Sequence, residues 1–501
     1  MTITKFRQII IRNAIRTAAT QATVRSSPIT ATKSTTVKSW KEIPGPSSLP
    51  IIGNLHHFLP GGALHNNPDM FDFLYKNYGP IVKIDAAFLP QMLAIYDADS
   101  IEKIFRAEEP MPIRPGLSSL LYYRKMKQEQ SDTPRPLGLA VSQGKTWKEL
   151  RSILNAIVLR TDVVPQYTKV INEVALDMIE RMKIVRDENN LIRNFEQELS
   201  IWSFESNSTI TLGKRLNYLN LNPKVTEDQH RLLKDLTKIF YTMEELDFKP
   251  SIWRYYPTKR FRRAMDLLDR AERQIYEYVT QAREELEKSN KTDKEKSILE
   301  KLLEVNEHVA MINACDFTAG GLDTITNTVL ALLYCLAKNP DKQRKLRDLL
   351  KTSEGLPYLK ACIKESMRAK PTISMMVRMT SKEYDLLGYR VPKDTMVIFG
   401  FGKLMSNETH FPRAEEFIPE RWLLDKNDPL SHKNGHPFAN RPFGFGARSC
   451  IGQRLALLQM ETIMSHIVEN FHVEWHGPPP KKRVTLINYF LNCNIIFKDV
   501  K

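Results

Sequence analysis

Arg441-Pro-Phe-Gly-Phe-Gly-Ala-Arg-Ser-Cys-Ile-Gly452, running into Gln453-Arg-Leu-Ala-Leu-Leu-Gln-Met-Glu461, decides how this chain is read. Gly446 and Gly452 bracket Cys450, so the segment reads as a sharply bent loop that presents a thiol and then enters a helix. The thiolate is the useful form of a cysteine, as nucleophile and as metal ligand. Unpaired N–H groups and the positive dipole end of the following helix favour that anion. Glycines let backbone N–H groups approach the sulfur where a side chain would block them. Phe443 shields one side, and Arg448, two residues ahead of the cysteine, is placed to meet an anionic group. A lone cysteine is ordinarily an inert small hydrophobe. The spacing Phe443-x-x-Gly446-x-Arg448-x-Cys450-x-Gly452 argues for more than that here.

Composition sets the outer bounds. The 501 residues are 42% hydrophobic and 26% charged, a globular profile with ample material for a large core. Length alone would allow two or three domains. Cys315, Cys335, Cys362, Cys450 and Cys493 stand singly, with no CxxC. That pattern points to a reducing compartment and away from a disulfide framework or a structural zinc. The net charge is +15, from 73 basic and 58 acidic residues. A basic body suits an acidic protein partner or an anionic membrane surface. No basic run interleaved with aromatics occurs, which excludes nucleic acid as the expected partner.

Residues 1–40 carry Lys5, Arg7, Arg12, Arg16, Arg25, Lys33 and Lys38 and no acid. Phe6, Ile9, Ile10 and Ile15 cluster opposite much of that charge on a helix, the profile of a mitochondrial transit peptide; a disordered basic tail is the plainer alternative. No long apolar run for a membrane anchor occurs there. Ile43-Pro-Gly-Pro-Ser-Ser-Leu-Pro-Ile-Ile-Gly-Asn54 is a stiff, turning lead-in. Alternation predicts strands at Ile81–Asp85 and Gln91–Tyr96, and Arg114–Arg124 reads as an irregular apolar loop over a cavity. Trp147 and Arg151 fall one turn apart on a helix, ordinarily a packing pair. Leu268, Ile275, Val279, Ala282 and Leu286 mark the core stripe of a charged helix.

From Glu307 to about Asn339 the chain predicts one long helix, too interrupted by Asn313, Asp316 and Asp323 to span a bilayer. Gly320 and Gly321 lie in its middle, beside Asp323 and Thr324. Each glycine inside a helix costs roughly 1 kcal/mol against Ala. Such a broken local rule marks either a ligand's close approach or tight helix packing. Further on, Glu365 and Arg368 are i,i+3 neighbours, and Lys360 and Lys364 share another face of the same helix.

The cysteine spacing resembles the haem-binding signature of cytochrome P-450 monooxygenases, and the other motifs follow in that family's order from about residue 43 to the end. The resemblance implies a mainly α single-domain fold with small β-sheets, spanning 41–501 after a transit peptide of 1–40. Haem b (iron protoporphyrin IX) would lie between the long central helix and the cysteine loop, with Cys450 as the iron ligand. Phe443, Gly446, Arg448 and Gly452 would complete the loop. Trp147 with Arg151, and also Arg378, would meet the propionates. Gly320 and Gly321 would admit the haem, and the acid–alcohol pair Asp323-Thr324 would deliver protons. Glu365, Arg368 and Arg421 would form a bracing triad without chemistry of their own.

Lys360 and Lys364 match the basic pair with which mitochondrial members receive a ferredoxin, and His436-Pro-Phe-Ala439 is similar to that clan too. The resemblance therefore implies a matrix-side enzyme, peripheral on the inner membrane, fed from NADPH through ferredoxin reductase and ferredoxin. It would insert one oxygen atom into an apolar small molecule, lined by Leu117, Leu120, Phe317, Ala319, Met375, Met376 and Phe490. The pattern is most similar to insect mitochondrial members associated with xenobiotic oxidation. Ecdysteroid or other steroid hydroxylation is the second reading, and a haem protein that never turns over is a third, of another class. Departures are Ile325 for a hydroxyl residue, Gln453 ahead of Arg454 where two arginines are usual, Leu457 for an acid, and a short 339–356 segment.

Overall fold

The helix Glu307–Lys338 runs through the middle of the molecule, with most of its residues buried. It starts where the Asn306 side chain accepts from the Val309 N–H, and it ends ahead of Pro340. At 32 residues it is about 48 Å long. Among the described residues it is the one helix long and apolar enough to cross a membrane, yet 72% of its apolar window is buried inside the fold. It is a core helix. The computed structural model describes residues 37–500 apart from positions 88, 134, 221–225, 250, 289, 485 and 486. The transit peptide read at 1–40 thus lies almost wholly outside the described residues.

Helix Phe195–Leu212, buried nearly all round, packs along the central helix. Its Ser203 hydroxyl donates to the Leu322 carbonyl at 3.0 Å, and its Asn207 amide donates to Phe317 O at 2.7 Å. Helix Lys259–Glu287 buries Leu268, Ile275, Val279 and Ala282 of the stripe expected of it and leaves Leu286, near its end, half-buried. Helix Gln453–Asn470 lies against Val163–Val185. Small sheets flank this mainly helical body, as expected. The largest has the order Ile81–Ile84, Met92–Ile95, Met396–Phe399, Met376–Met379, with only the middle pair parallel. A three-stranded sheet joins Leu191–Ile192, Ile495–Asp499 and Phe471–Trp475, and two hairpins complete the set.

One local reading needs correction. Arg114–Arg124 is irregular only in its first half, because a helix occupies Ser118–Glu129. Gly116 (φ 120°) and Leu117 (φ 50°) make the corner. The helix start is capped from another element: Asp247 accepts from the Ser119 N–H at 3.1 Å and from its hydroxyl at 2.7 Å. A tertiary cap leaves no trace in the local sequence. The short 339–356 segment holds helix Pro340–Leu350 and a tight turn into the next helix, Gly355–Ala369. A Cβ at Gly355 would stand 2.5 Å from Leu350 Cα, so the turn admits glycine alone.

Glu365, Arg368 and Arg421 come together as a network of ion pairs, with all three side chains fully buried. Arg368 reaches both carboxylate oxygens, at 3.0 and 2.8 Å. Arg421 Nε donates to Oε1 at 3.0 Å, and Trp422 Nε1 to Oε2 at 2.9 Å. Breaking a buried ion pair typically costs about 3–5 kcal/mol, because the surviving charge stays buried. Glu365→Ala should therefore lose that much stability in urea unfolding followed by circular dichroism. A loss below about 1 kcal/mol would show that the backbone carbonyls alone carry the two guanidinium groups.

Candidate active site

Between the central helix and the cysteine loop lies a cavity of about 250 Å³. Gly320, Gly321, Thr324 and Ile325 line one side; Arg448, Cys450, Gly452 and Leu455 line the other. The loop bends through Gly444 and Gly446, whose φ values of 78° and 71° suit only glycine. The Cys450 N–H then donates back to Phe443 O at 2.9 Å, and the helix Gln453–Asn470 begins at once. A Cβ on Gly452 would meet nothing within 4 Å. This glycine keeps the floor of the cavity bare. Phe443 is half-buried and packs on the main core beside the loop.

Cys450 is exposed only in the sense that it opens into this cavity, since protein surrounds it on the other sides. Burial pushes its thiol pKa up, while the Gly452 N–H and the charges of Arg151 and Arg114 pull it down. A coordinated metal ion deprotonates a thiol outright.

Three guanidinium groups converge on the cavity. Arg448 is buried and stacks 3.9 Å from the centre of the Trp147 ring. Its Nε donates to Pro112 O at 3.0 Å and its Nη2 to Ser142 O at 3.0 Å, but its buried Nη1 has no hydrogen-bond partner. Burial, then Arg114, Arg378 and Arg151, push its pKa down to about 9. Arg114 is pushed down to about 10, again first by burial. Arg151 gives Nε to Asn155 Oδ1 at 2.8 Å and Nη1 to Ser449 O at 3.0 Å. The acid among the lining residues, Asp316, is taken by Arg124 at 2.8 Å. Mutually repelling cations with an orphaned N–H are what a site for an anionic group requires.

Not every expected residue reaches the cavity. Arg378 binds Glu108 at 2.5 Å and lies over the Phe105 ring, behind the lining yet close enough to repel Arg114 and Arg448. Arg114 lines the cavity instead. The sequence offered no spacing rule for Arg114, because it sits in the stretch read as an irregular loop. Asp323 and Thr324 part company. Thr324 lines the cavity and donates to Gly320 O at 2.8 Å. Asp323 is buried behind it and accepts from the Tyr489 hydroxyl at 3.0 Å. Of the apolar residues read as lining, Phe317 does so; Leu117 borders a smaller neighbouring cavity. Leu120 and Phe490 are packed in the core.

A thiol on a glycine-floored loop, cations for two carboxylates and a bare helix opposite fit a flat dianionic metal macrocycle. These features define a haem-thiolate site. Residues 43–489 match the sequence profile described as Cytochrome P450. Cytochrome P450 CYP12A2 of Musca domestica is 35% identical over 494 residues, covering 92% of this chain and 91% of that protein. "Probable cytochrome P450 12b2, mitochondrial" of Drosophila melanogaster is 34% identical, covering 88% of this chain and 86% of its own. The fold is similar to retinoic acid-bound cyanobacterial CYP120A1, with TM-score 0.73 and 19% identity over 91% of this chain and 99% of that one. The chain belongs to the cytochrome P450 family and is a haem-thiolate monooxygenase.

The two central glycines divide the two readings of a helix glycine between them. A Cβ at Gly320 would meet nothing within 4 Å, whereas one at Gly321 would stand 2.5 Å from Asn207 Oδ1. Gly321→Ala should destabilise the fold by about 1–3 kcal/mol through overpacking. Gly320→Ala should gain up to about 1 kcal/mol from helix propensity, yet crowd the haem side of the cavity. Thermal melts of both variants with haem titration would show this. Equal melts for the two would contradict the division.

Proposed function

We propose that this enzyme inserts one oxygen atom from O2 into an apolar small molecule of the xenobiotic class, using electrons from NADPH through ferredoxin reductase and a mitochondrial ferredoxin. The observation that carries the reading is the cavity wall beside Cys450, where Leu139, Ala140, Ile210, Phe317 and Ile325 line the cavity together with Thr324. Such an oily wall selects lipophilic ligands, and Thr324 is the lining hydroxyl on the central helix beside the two glycines. When bound, haem supplies oxygen activation, its thiolate ligand pushing electron density toward O–O cleavage. Cys450 would hold the iron; Arg448, Arg114 and Arg151 would neutralise the propionates; Thr324 Oγ1 would hold and pass a proton. Turnover of a lipid and xenobiotic panel with reconstituted ferredoxin tests the substrate class. Oxidation confined to steroids would favour the steroid-hydroxylase reading.

Positioned acid–base groups typically contribute about 10²–10⁴-fold. Thr324→Ala should keep the spectrum of the reduced, CO-bound thiolate haem and still consume NADPH, while product falls and peroxide rises. Unchanged product per NADPH would remove Thr324 from proton delivery.

The mitochondrial compartment and donor are supported by the basic presequence, residues 1–40, and by relatives named as mitochondrial. Lys360 and Lys364 are both exposed; Lys360 sits 3.8 Å from Glu461, and Lys364 lies over the Trp422 ring. Neither is tied into the core, which leaves both able to meet an acidic ferredoxin. Steering charges of this kind change encounter rates by about 10–10³-fold. Lys360→Glu with Lys364→Glu, expressed with its presequence, should slow ferredoxin-supported turnover in isolated mitochondria and spare a peroxide-driven reaction. A chain delivered to the endoplasmic reticulum would overturn compartment and donor together.

A further inference from the structure

Residues 137–143 run as irregular chain beside the cavity, between helix Ser118–Glu129 and the helix that starts at Gly144. Leu139 and Ala140, in the middle of this strap, belong to the cavity wall. A segment outside helix and sheet has no ladder to hold it, so its backbone groups need partners elsewhere. Ala140 finds one on each side. Its N–H donates to Asp316 Oδ2 on the central helix at 3.1 Å, and its carbonyl accepts from Arg114 Nη2 at 3.0 Å. An acid and a cation thus grip the same wall residue by its main chain.

The acid is itself held. Asp316 Oδ1 accepts from Arg124 Nη2 at 2.8 Å, and Arg124 Nη1 donates to Leu137 O at 2.8 Å. Both side chains of the pair are buried, at 8% and 7% exposure. Gly138 closes over them: at φ 86° a Cβ there would run into Arg124 Nη1 and stand 2.7 Å from Asp316 Oδ2. Only bare backbone seals the pair. Desolvation makes a buried ion pair weak evidence for stability, since apolar residues of like volume often serve a fold as well. What this pair adds is direction, in polar bonds that fix where Leu137 and Ala140 stand and hence the Leu139 between them. At its far end the strap meets the cations, where Arg448 Nη2 donates to Ser142 O at 3.0 Å and to Gln143 Oε1 at 2.6 Å.

We propose, on the reading of this oily wall as the substrate's side of the cavity, that Asp316 is a positioning residue for ligand selection. With Arg124 it clasps the 137–143 strap to the central helix and so excludes ligands too bulky for the space that Leu139 and Ala140 leave. A compact ligand enters with the strap in place. A bulky one needs the strap lifted, so its apparent affinity is reduced by the small fraction of molecules in which that has happened. Asp316 acts through the strap and takes no part in making or breaking bonds.

The test uses full-length, haem-loaded enzyme titrated with imidazole and with N-alkyl- and N-arylimidazoles of increasing bulk, binding being read from the shift of the Soret band. A hydrogen bond to a charged group holds a two-state segment by about tenfold or more. Asp316→Asn should therefore tighten binding of the bulkiest probes by about tenfold and leave N-methylimidazole unchanged. Asp316→Asn with Arg124→Met strands no buried charge and keeps the volume at position 316, so the same gain there comes neither from misfolding nor from added space. Hydrogen exchange supplies a readout apart from the haem: the Ala140 amide should exchange about tenfold faster in both variants. An unchanged ratio of bulky to compact affinities in both variants would overturn the clasp. Faster Ala140 exchange without a change in that ratio would overturn it too, leaving the ion pair a structural role alone. If affinity does not rise from imidazole to its compact alkyl derivatives in native enzyme, the oily-wall reading beneath it fails, whatever the Ala140 amide does.

Discussion

One carboxylate, Glu365, carries much of the architecture on which the cavity depends. It is fully buried and accepts from two guanidinium groups, an indole and the Ile418 N–H. Arg368 continues to Met405 O and Glu416 O, and Arg421 to Pro412 O. The irregular chain around 405–422 is thus tied to one helix by charge-assisted bonds, without regular secondary structure to order it. Irregular backbone survives in an interior only when its polar groups are satisfied. The neighbouring aromatic stack of Phe105, Phe438 and Phe445 then carries that order into the cysteine loop, where Phe445 stands five residues before Cys450.

The cavity itself is the reverse case, with charge gathered and left uncompensated. Burial lowers the basicity of Arg114, Arg151 and Arg448, neighbouring cations add to it at Arg114 and Arg448, and Arg448 has an N–H with nowhere to point. Such an arrangement opposes folding of the empty chain and favours the loaded one, since anything that binds the native state alone stabilises it by mass action. Binding energy and folding energy are linked here through the same three side chains.

The central helix, the Glu365–Arg368 pair and the shared face of Lys360 and Lys364 were readable from residue spacing, because each depends on local helix geometry, whereas the role of the cysteine loop and the place of Arg421, 56 residues from Glu365, came from the resemblance to a family. What escaped depends on partners distant in sequence. Arg114 was hidden in a segment whose helix is capped by Asp247, 128 residues away from Ser119. Arg378 was read as a propionate partner, and its bond to Glu108, 270 residues away, had no local signal. Asp323 and Thr324 looked like a unit, and only the position of Tyr489 shows that they face different rooms. The paired glycines gave one signal for two causes, since nothing local tells Gly321, pressed on Asn207, from Gly320, open to the cavity.

The contact between Asn207 and the central helix also bears on how this enzyme can diversify. Helix Phe195–Leu212 is buried nearly all round, and its Asn207 amide ties two consecutive carbonyls, Phe317 and Thr318, at 2.7 and 3.2 Å. That wall is stiff: a larger side chain at Gly321 has no room, and a smaller one at Asn207 abandons two acceptors. Where Ser118–Glu129 meets Thr226–Asp247, Ser119 is tied to Asp247 at the helix end. A lineage changing its chemical diet would therefore keep the Asn207 side of the cavity as it found it.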